Sequence, residues 1–360
     1  MATVVQGMPV HRAIAATPTT DDTEALRQLS SLGFPAGLSH ELVASAREFP
    51  VRFIVLDNSG SMNMNDGTRI VRTPAGKTTA IKASRWNELV DTILGIGELA
   101  TALGARTDFY LLNPSPHGQF LMTGDDGSTS FGRIGQPVNM PELKRRFQAM
   151  SPSGGTPLTE AVMRVISLIE PEAATLRASG QKAAVVLATD GLPNDRVSFL
   201  EALRQLQRLP VWLVVRLCTD DDAVVGYWND LDAQLECDME VLDDLFGEGA
   251  EVHQLNSWLR YSPLLHKART FGLPNKLFDL LDEQALVPSQ VKQCVEAILG
   301  CGVLPEPDAG ITEFRAAVKE ALTGAPPVFD PVSRTMRPWV NADELCKSPS
   351  WWRRIRCLLG

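Results

Sequence analysis

Three runs of continuous β-branched and apolar residues set the terms for this chain: VRFIVLD at 51–57, AAVVLATD at 183–190 and VWLVVRLC at 211–218. A strand with one wet face alternates apolar and polar side chains, so a run without alternation belongs to a strand buried on both faces. Such strands occur in parallel sheets covered by helices on each side. Between the runs the period lengthens to that of a helix. Residues 86–103 place Leu89, Ile93, Ile96 and Ala100 on one face,. Residues 157–168 open with Pro157, tolerated in a first turn where its missing N–H costs little,. A further helix is expected over 195–206, and helices resume from Ala223. Buried strands alternating with amphipathic helices predict an α/β fold with a doubly wound, mostly parallel sheet flanked by helices, Rossmann-like in plan. DFYLL at 108–112 and QFLMT at 119–123 read as a strand pair, and the segments around the Ala75-Gly76 turn as a hairpin,.

The flanks are of another character. Residues 1–22 read as a disordered arm,. Residues 23–49 form a short helical N-terminal segment, broken at Gly33-Phe34-Pro35-Ala36-Gly37. Its LGF triplet hints at a ubiquitin-associated domain, but the segment is too short for three helices, and a packing hairpin is the simpler reading. From 256 to 360 short helical stretches (263–270, 276–282, 288–299 and 311–323) alternate with Gly and Pro, with no strand of the buried type. A helical C-terminal extension is the expectation there.

Bulk properties narrow the function. The formal net charge is −9, with 44% hydrophobic and 21% charged residues. An acidic balance argues against a general nucleic-acid binder, which needs a basic face to release counterions. No apolar run approaches the roughly 20 residues that span a bilayer. The first twenty residues lack a compact apolar core with a cleavage site, so no secretory signal is expected; an organelle-targeting peptide is the alternative to a plain arm,. Six cysteines (Cys218, Cys237, Cys294, Cys301, Cys346, Cys357) form no CxxC pair and no zinc spacing,. Together these features predict a reducing, intracellular and cytoplasmic setting.

Three loops carry the chemistry. Asp57-Asn58-Ser59-Gly60-Ser61 follows the first buried run, residues 153–161 (SGGTPLTEA) open a helix, and residues 188–195 (ATDGLPND) end the second run. In a doubly wound sheet, loops at the carboxyl ends of the strands gather in one crevice, so two acids and three hydroxyls are expected to meet in space. Hard oxygen donors of that kind suit Mg²⁺ or Mn²⁺. Gly60 and the Gly154-Gly155 pair are expected to permit tight turns and close backbone approach.

The three segments resemble the metal-ion-dependent adhesion site (MIDAS) of the von Willebrand factor type A (vWA) family, whose pattern is DxSxS, a threonine in the second loop and an aspartate in the third. The matching residues are Asp57, Ser59, Ser61, Thr156 and Asp190, none departing from the pattern, and the resemblance covers roughly residues 50–255. It is closest in character to uncharacterised intracellular members of that family. The resemblance implies a vWA domain with a divalent ion held by Ser59 and Ser61, Thr156 bound directly or through water, and Asp57 and Asp190 holding coordinated waters. It further implies a non-enzymatic module whose Mg²⁺ accepts an acidic side chain, Glu or Asp, from a protein partner. The alternative is a metal-bearing accessory subunit of an ATPase or other enzyme complex.

Competing motifs fail on specific residues. Gly76-Lys77-Thr78 lacks the earlier glycine of a phosphate loop, Val71 standing in its place,. A haloacid-type phosphatase needs a second acid where Ser59 stands, and a GxSxG elbow needs glycine where Asp57 stands,. The histidines (His11, His40, His117, His253, His266) show no paired spacing. Asp220-Asp221-Asp222 reads as the acidic start of a helix, favourable to its dipole,. At the C-terminus, basic residues precede Cys357 in a C-a-a-X arrangement, although the terminal Gly360 is not a usual choice for prenylation,. Membrane association is expected only if that cysteine is lipidated; otherwise Trp351 and Trp352 are expected to pack against the extension.

Overall fold

The apolar run at 51–56 becomes a strand whose six residues are all buried. Its neighbours follow in the computed structural model, which describes residues 21–113, 130–131, 140–235 and 239–345. The arm, residues 119–123, His11, His117, Cys237 and the tail with Cys346, Trp351, Trp352 and Cys357 lie outside the described residues. In chain order the elements are α1 (Asp22–Ser31), α2 (Ala36–Glu48), β1 (Val51–Leu56), β2 (Gly67–Arg72), β3 (Thr78–Ala83), α3 (Arg85–Leu103), β4 (Arg106–Leu111), β5 (Ser130–Phe131), α4 (Met140–Gln148), α5 (Leu158–Ile169), α6 (Ala173–Ala178), β6 (Ala183–Thr189), α7 (Arg196–Leu206), β7 (Val211–Leu217), α8 (Asp222–Gln234), β8 (Met239–Leu242) and α9 (Leu245–Leu255). They continue with α10 (Pro263–Thr270), α11 (Lys276–Glu283), α12 (Pro288–Leu299), α13 (Ile311–Leu322), β9 (Val328–Asp330) and β10 (Thr335–Arg337).

The main sheet has the order β5-β4-β1-β6-β7-β8. Strands β4, β1, β6, β7 and β8 run parallel, in a register that sets Val51 beside Ala183 and Arg106, and Ala183 beside Val211. The edge strand β5 is antiparallel to β4. This is the doubly wound, mostly parallel sheet that the unbroken apolar runs demand.

Side chains alternate across the sheet into two cores. Ile54, Leu56, Ala184, Val186, Trp212 and Val214 join α1, α2, α3 and the helices beyond residue 256. Val51, Phe53, Val55, Val185, Leu187, Leu213 and Val215 join α5, α7 and α8 on the other face. The C-terminal helices therefore supply much of one cover of the sheet. Gly272 (φ +90°) lies so close that a Cβ there would sit 3.3 Å from Ala184 Cβ.

Local signals explain the boundaries. Ser84 caps α3 by accepting from Asn87 N, and Gly104 ends it in the left-handed region,. Asp221 caps α8 through Ala223 N and Val224 N, which accounts for the acidic triplet as a helix start. The expected hairpin is β2–β3, with Gly67 opposite Ala83. Beyond residue 256 the helices stand where periodicity put them, but β9 corrects the expectation of no buried strand there. It is a three-residue strand between Pro327 and Pro331, buried throughout and paired with β10, too short to show as a run. Among the described residues no helix is long and apolar enough to cross a membrane.

Candidate metal centre

Strands β1 and β6 lie side by side, so their carboxyl ends bring the first and third loops together. Asp57 N donates to Ala188 O at 2.8 Å, which continues the ladder one residue past β1. The second loop is stitched to the first by backbone bonds, from Ser153 N to Asn58 O at 2.8 Å and from Gly60 N to Gly154 O at 3.1 Å.

Four of the five candidate residues form one hydrogen-bonded chain. Ser59 N donates to Asp57 Oδ1 at 2.8 Å. The Ser59 and Ser61 hydroxyls stand 3.0 Å apart, and Ser61 Oγ donates to Asp190 Oδ1 at 2.8 Å. Thr156 enters by another route: its N donates to Asn194 Oδ1 at 3.1 Å and its carbonyl accepts from Asn194 N and Leu158 N. Its hydroxyl faces the residue after Asp190, since a Cβ at Gly191 would lie 3.6 Å from Thr156 Oγ1.

The depth of the groups differs in a way that matters. Asp57 is 0% and Asp190 3% exposed, whereas Ser61 is exposed and Thr156 half-buried. Asp57, Asp190 and Ser59 make the floor, and Ser61 and Thr156 the rim. The Asp57 carboxyl is pushed up by burial first, with the Asp190 charge adding to it, against the opposing bonds from Ser59 and Thr189,.

Several supporting residues carry no motif signal. Thr189 Oγ1 donates to Asp57 Oδ2 at 2.6 Å. Arg85, at the first position of α3, donates to Asp190 Oδ2 at 3.0 Å and grips Asp66 with two bonds of 2.8 and 2.6 Å. The Arg85 guanidinium in turn holds the Asp66 carboxyl below its usual range. Asn58 and Asn113 bond each other reciprocally at 3.1 and 2.8 Å, and Asn113 Nδ2 donates to Gly155 O at 2.7 Å. These partners are distant in sequence, which is why spacing alone could not find them. Asn194 and Thr189 do lie inside the third loop, and a polar side chain beside each ligand position was the one available hint. The glycine expectation divides. Gly154 has φ +90° and a Cβ there would lie 2.6 Å from Asn113 Oδ1, whereas a Cβ at Gly60 meets nothing closer than 3.7 Å.

The donor set fits a hard, six-coordinate cation. Octahedral oxygens at about 2.0–2.1 Å from Mg²⁺ stand about 2.8–3.0 Å from their neighbours, the separation seen between the Ser59 and Ser61 hydroxyls. Among the described residues there is no group of three or more His, Cys, Asp or Glu that could hold a metal, so any ion here would rest on hydroxyls with two acids beneath. Soft metals, which want thiolate or imidazole, fit poorly.

No family model and no curated protein matches the chain. Among solved structures it is similar to the manganese-loaded TRAP protein of Plasmodium vivax, at 17% identity over 54% of this chain and 69% of that one, with a TM-score of 0.33. It is also similar to proximal thread matrix protein 1 from the mussel byssus, at 13% identity over 46% of this chain and 37% of that one, with a TM-score of 0.29.

Proposed function

We propose that the chain is a divalent-metal-dependent protein-binding module of the vWA type, with Ser59, Ser61 and Thr156 as hydroxyl ligands to Mg²⁺ or Mn²⁺. Asp57 and Asp190 orient coordinated waters from beneath. The observation that carries this reading is the chain of contacts from Asp57 through Ser59 and Ser61 to Asp190, assembled from the ends of two adjacent parallel strands.

The charge balance supports a binding role. Of the two acids, Asp190 is already engaged by Arg85, and Asp57 accepts from Ser59 N and Thr189 Oγ1. A bound ion would keep much of its charge and supply an electropositive position open to one more oxygen anion. At the rim Ser61 is exposed and Thr156 half-buried, and a glutamate or aspartate of a protein partner can approach from that side. The reading is non-enzymatic: a binding role asks for an open ligand position, not for a general base.

Titration calorimetry with Mn²⁺ and capture of partners with Mg²⁺ or EDTA test it. Ser59→Ala and Asp190→Asn are expected to weaken metal binding strongly. Thr156→Ala, which leaves both carboxylates in place, is expected to lose partner capture more than metal affinity. Partner capture that persists in EDTA, or in an Asp57→Asn protein unable to bind Mn²⁺, would overturn the proposal.

A further inference from the structure

Asp190 is shared between the metal centre and a cation of the chain's own. Its Oδ1 accepts from Ser61 Oγ at 2.8 Å and its Oδ2 from Arg85 Nη1 at 3.0 Å. The ion pair lies out of water, the Asp190 side chain being 0% and the Arg85 side chain 8% exposed. Among the described residues no other cation pairs with Asp190, and none pairs with Asp57. One guanidinium therefore faces two buried acids.

The rest of Arg85 is turned away from the centre. Its Nε and Nη2 donate to Asp66 Oδ1 and Oδ2 at 2.8 and 2.6 Å, a bidentate pair, and the Asp66 side chain is 41% exposed,. The guanidinium thus bridges a buried acid at the metal centre and an exposed one at the root of the β2–β3 hairpin. Its pKa is raised, by the bonds to Asp66 first and by Asp190 as well, against the cost of burial, so its charge is permanent,.

The backbone beneath this side chain is fixed on two sides. Arg85 opens α3, and its N donates to Met64 O at 3.0 Å. Met64 ends the 3₁₀ turn (Gly60–Asn63) that carries Ser61. Gly67, the first residue of β2, is pressed against the same place, since a Cβ there would lie 3.0 Å from Arg85 N and from Ser84 O. The metal rim, the hairpin root and Arg85 form one joint.

A divalent ion on the hydroxyls of this centre and the Arg85 guanidinium repel each other and draw on the same carboxylate. Buried charges are screened little by salt. Asp66 offsets part of the Arg85 charge, but through a side chain that water reaches, so the offset is partial,.

Resting on the metal centre proposed above, we infer that Arg85 is its built-in counter-cation: it competes with the ion for Asp190 and holds metal affinity down, and Asp66 sets how strongly. A contact that draws Asp66 off the guanidinium leaves the full charge on Asp190 and weakens the metal further.

The test is calorimetric titration of the full chain with Mn²⁺, alongside melting in EDTA. Arg85→Met is expected to bind Mn²⁺ about tenfold more tightly and Asp66→Asn about threefold more weakly, as loss of a nearby unit charge of each sign predicts. Arg69→Met removes a cation from the same hairpin, one that pairs with Asp91 and not with Asp190, and is expected to stay within about twofold of the parent because that charge is screened. In EDTA, Arg85→Met is expected to melt below the parent. Adding Asp190→Asn should recover part of that loss, because a neutral amide needs no counter-charge. If Arg85 only positions Asp190, Arg85→Met binds Mn²⁺ more weakly, and the inference is overturned. It is also overturned if Arg69→Met gains as much as Arg85→Met, if Asp66→Asn binds as tightly as the parent, or if the double variant recovers nothing. A parent chain that takes up no Mn²⁺ sinks the metal centre itself and this inference with it, an outcome distinct from a parent that binds and an Arg85→Met that gains nothing. Should Arg85→Met not fold, the Mn²⁺ affinity of Asp66→Asn decides.

Discussion

At Gly154 the backbone has φ +90°, and an added Cβ would lie 2.6 Å from Asn113 Oδ1. Both effects oppose a side chain. Gly154→Ala is expected to lose about 1–3 kcal/mol, the usual cost of a residue held in a sparsely populated region. Mn²⁺ affinity should fall with it, because Gly154 O holds Gly60 N and Asn113 holds Gly155 O. Gly60→Ala is the matched control: φ there is not positive and the nearest atom to its Cβ is 3.7 Å away. Urea unfolding of the two variants checks the contrast, and equal losses would contradict the role assigned to Gly154. The same residues mark what the sequence could say at this scale. Asp57, Ser59, Ser61 and Asp190 were legible because each sits in a polar loop after an apolar run, and strand adjacency alone brings those loops together. Arg85 and Asp66 were not, since their value lies in a three-way contact with Asp190 across more than a hundred residues. No local pattern encodes that.

Elements were legible where burial leaves a periodic trace and hidden where a charge interrupts it. Strand β8 escaped notice because Glu240 stands in the middle of four residues flanked by aspartates; buried, it accepts from Arg269 of α10 at 2.6 Å. The antiparallel edge β5 has two residues and left no pattern to read. Arg52 is the converse case. It sits inside the run that defines β1, yet is fully buried, donating to Phe271 O at 3.0 Å, Phe49 O at 3.0 Å and Ser45 O at 3.2 Å. Its guanidinium also lies 4.0 Å from the centre of the Phe271 ring, and burial lowers its pKa to about 9. Arg52 thus ties the sheet to α2 and to the turn after α10. Arg52→Met removes the buried charge but leaves the Phe49 and Phe271 carbonyls without this donor, so a net loss of about 2–4 kcal/mol is expected in chemical denaturation,. The loss should appear as faster hydrogen exchange at the end of α2 and around Phe271. Unchanged stability would mean that the buried guanidinium is dispensable to the join.

On the scale of the whole molecule, the helices beyond residue 256 are held to the sheet by more than apolar contact, and that attachment responds to pH. Among the described residues Arg269 is the only cation in contact with Glu240, Glu248 and Asp282, at 2.6, 2.7 and 3.5 Å. These acids come from β8, α9 and α11, and Asp279 of α11 and Tyr261 also face the cluster. One guanidinium cannot neutralise that many buried carboxylates, so protons must. Glu240 and Asp279 lie within hydrogen-bonding reach of each other, and each has a buried oxygen without a donor. Only a proton carried by one of the two can join them. Burial above all, then the neighbouring acids, raises Glu240 from 4.5 to about 8 despite Arg269, and Asp279 from 3.8 to about 6. A folded-state pKa above the unfolded one means the folded chain holds the extra proton in between. The stabilisation is complete below the unfolded value and is lost as pH rises through the folded one. Melting in EDTA should therefore show stability declining from about pH 4.5 to about pH 8. Glu240→Gln keeps the shape, needs no proton and can still bond Asp279, so its decline should be shallower and its stability at pH 8 no lower than the parent's. Exchange in α11 should rise with pH in the parent and less so in the variant. A parent profile that is flat over this window, or a variant with the same slope, would show that the Glu240–Asp279 contact does not carry the shared proton.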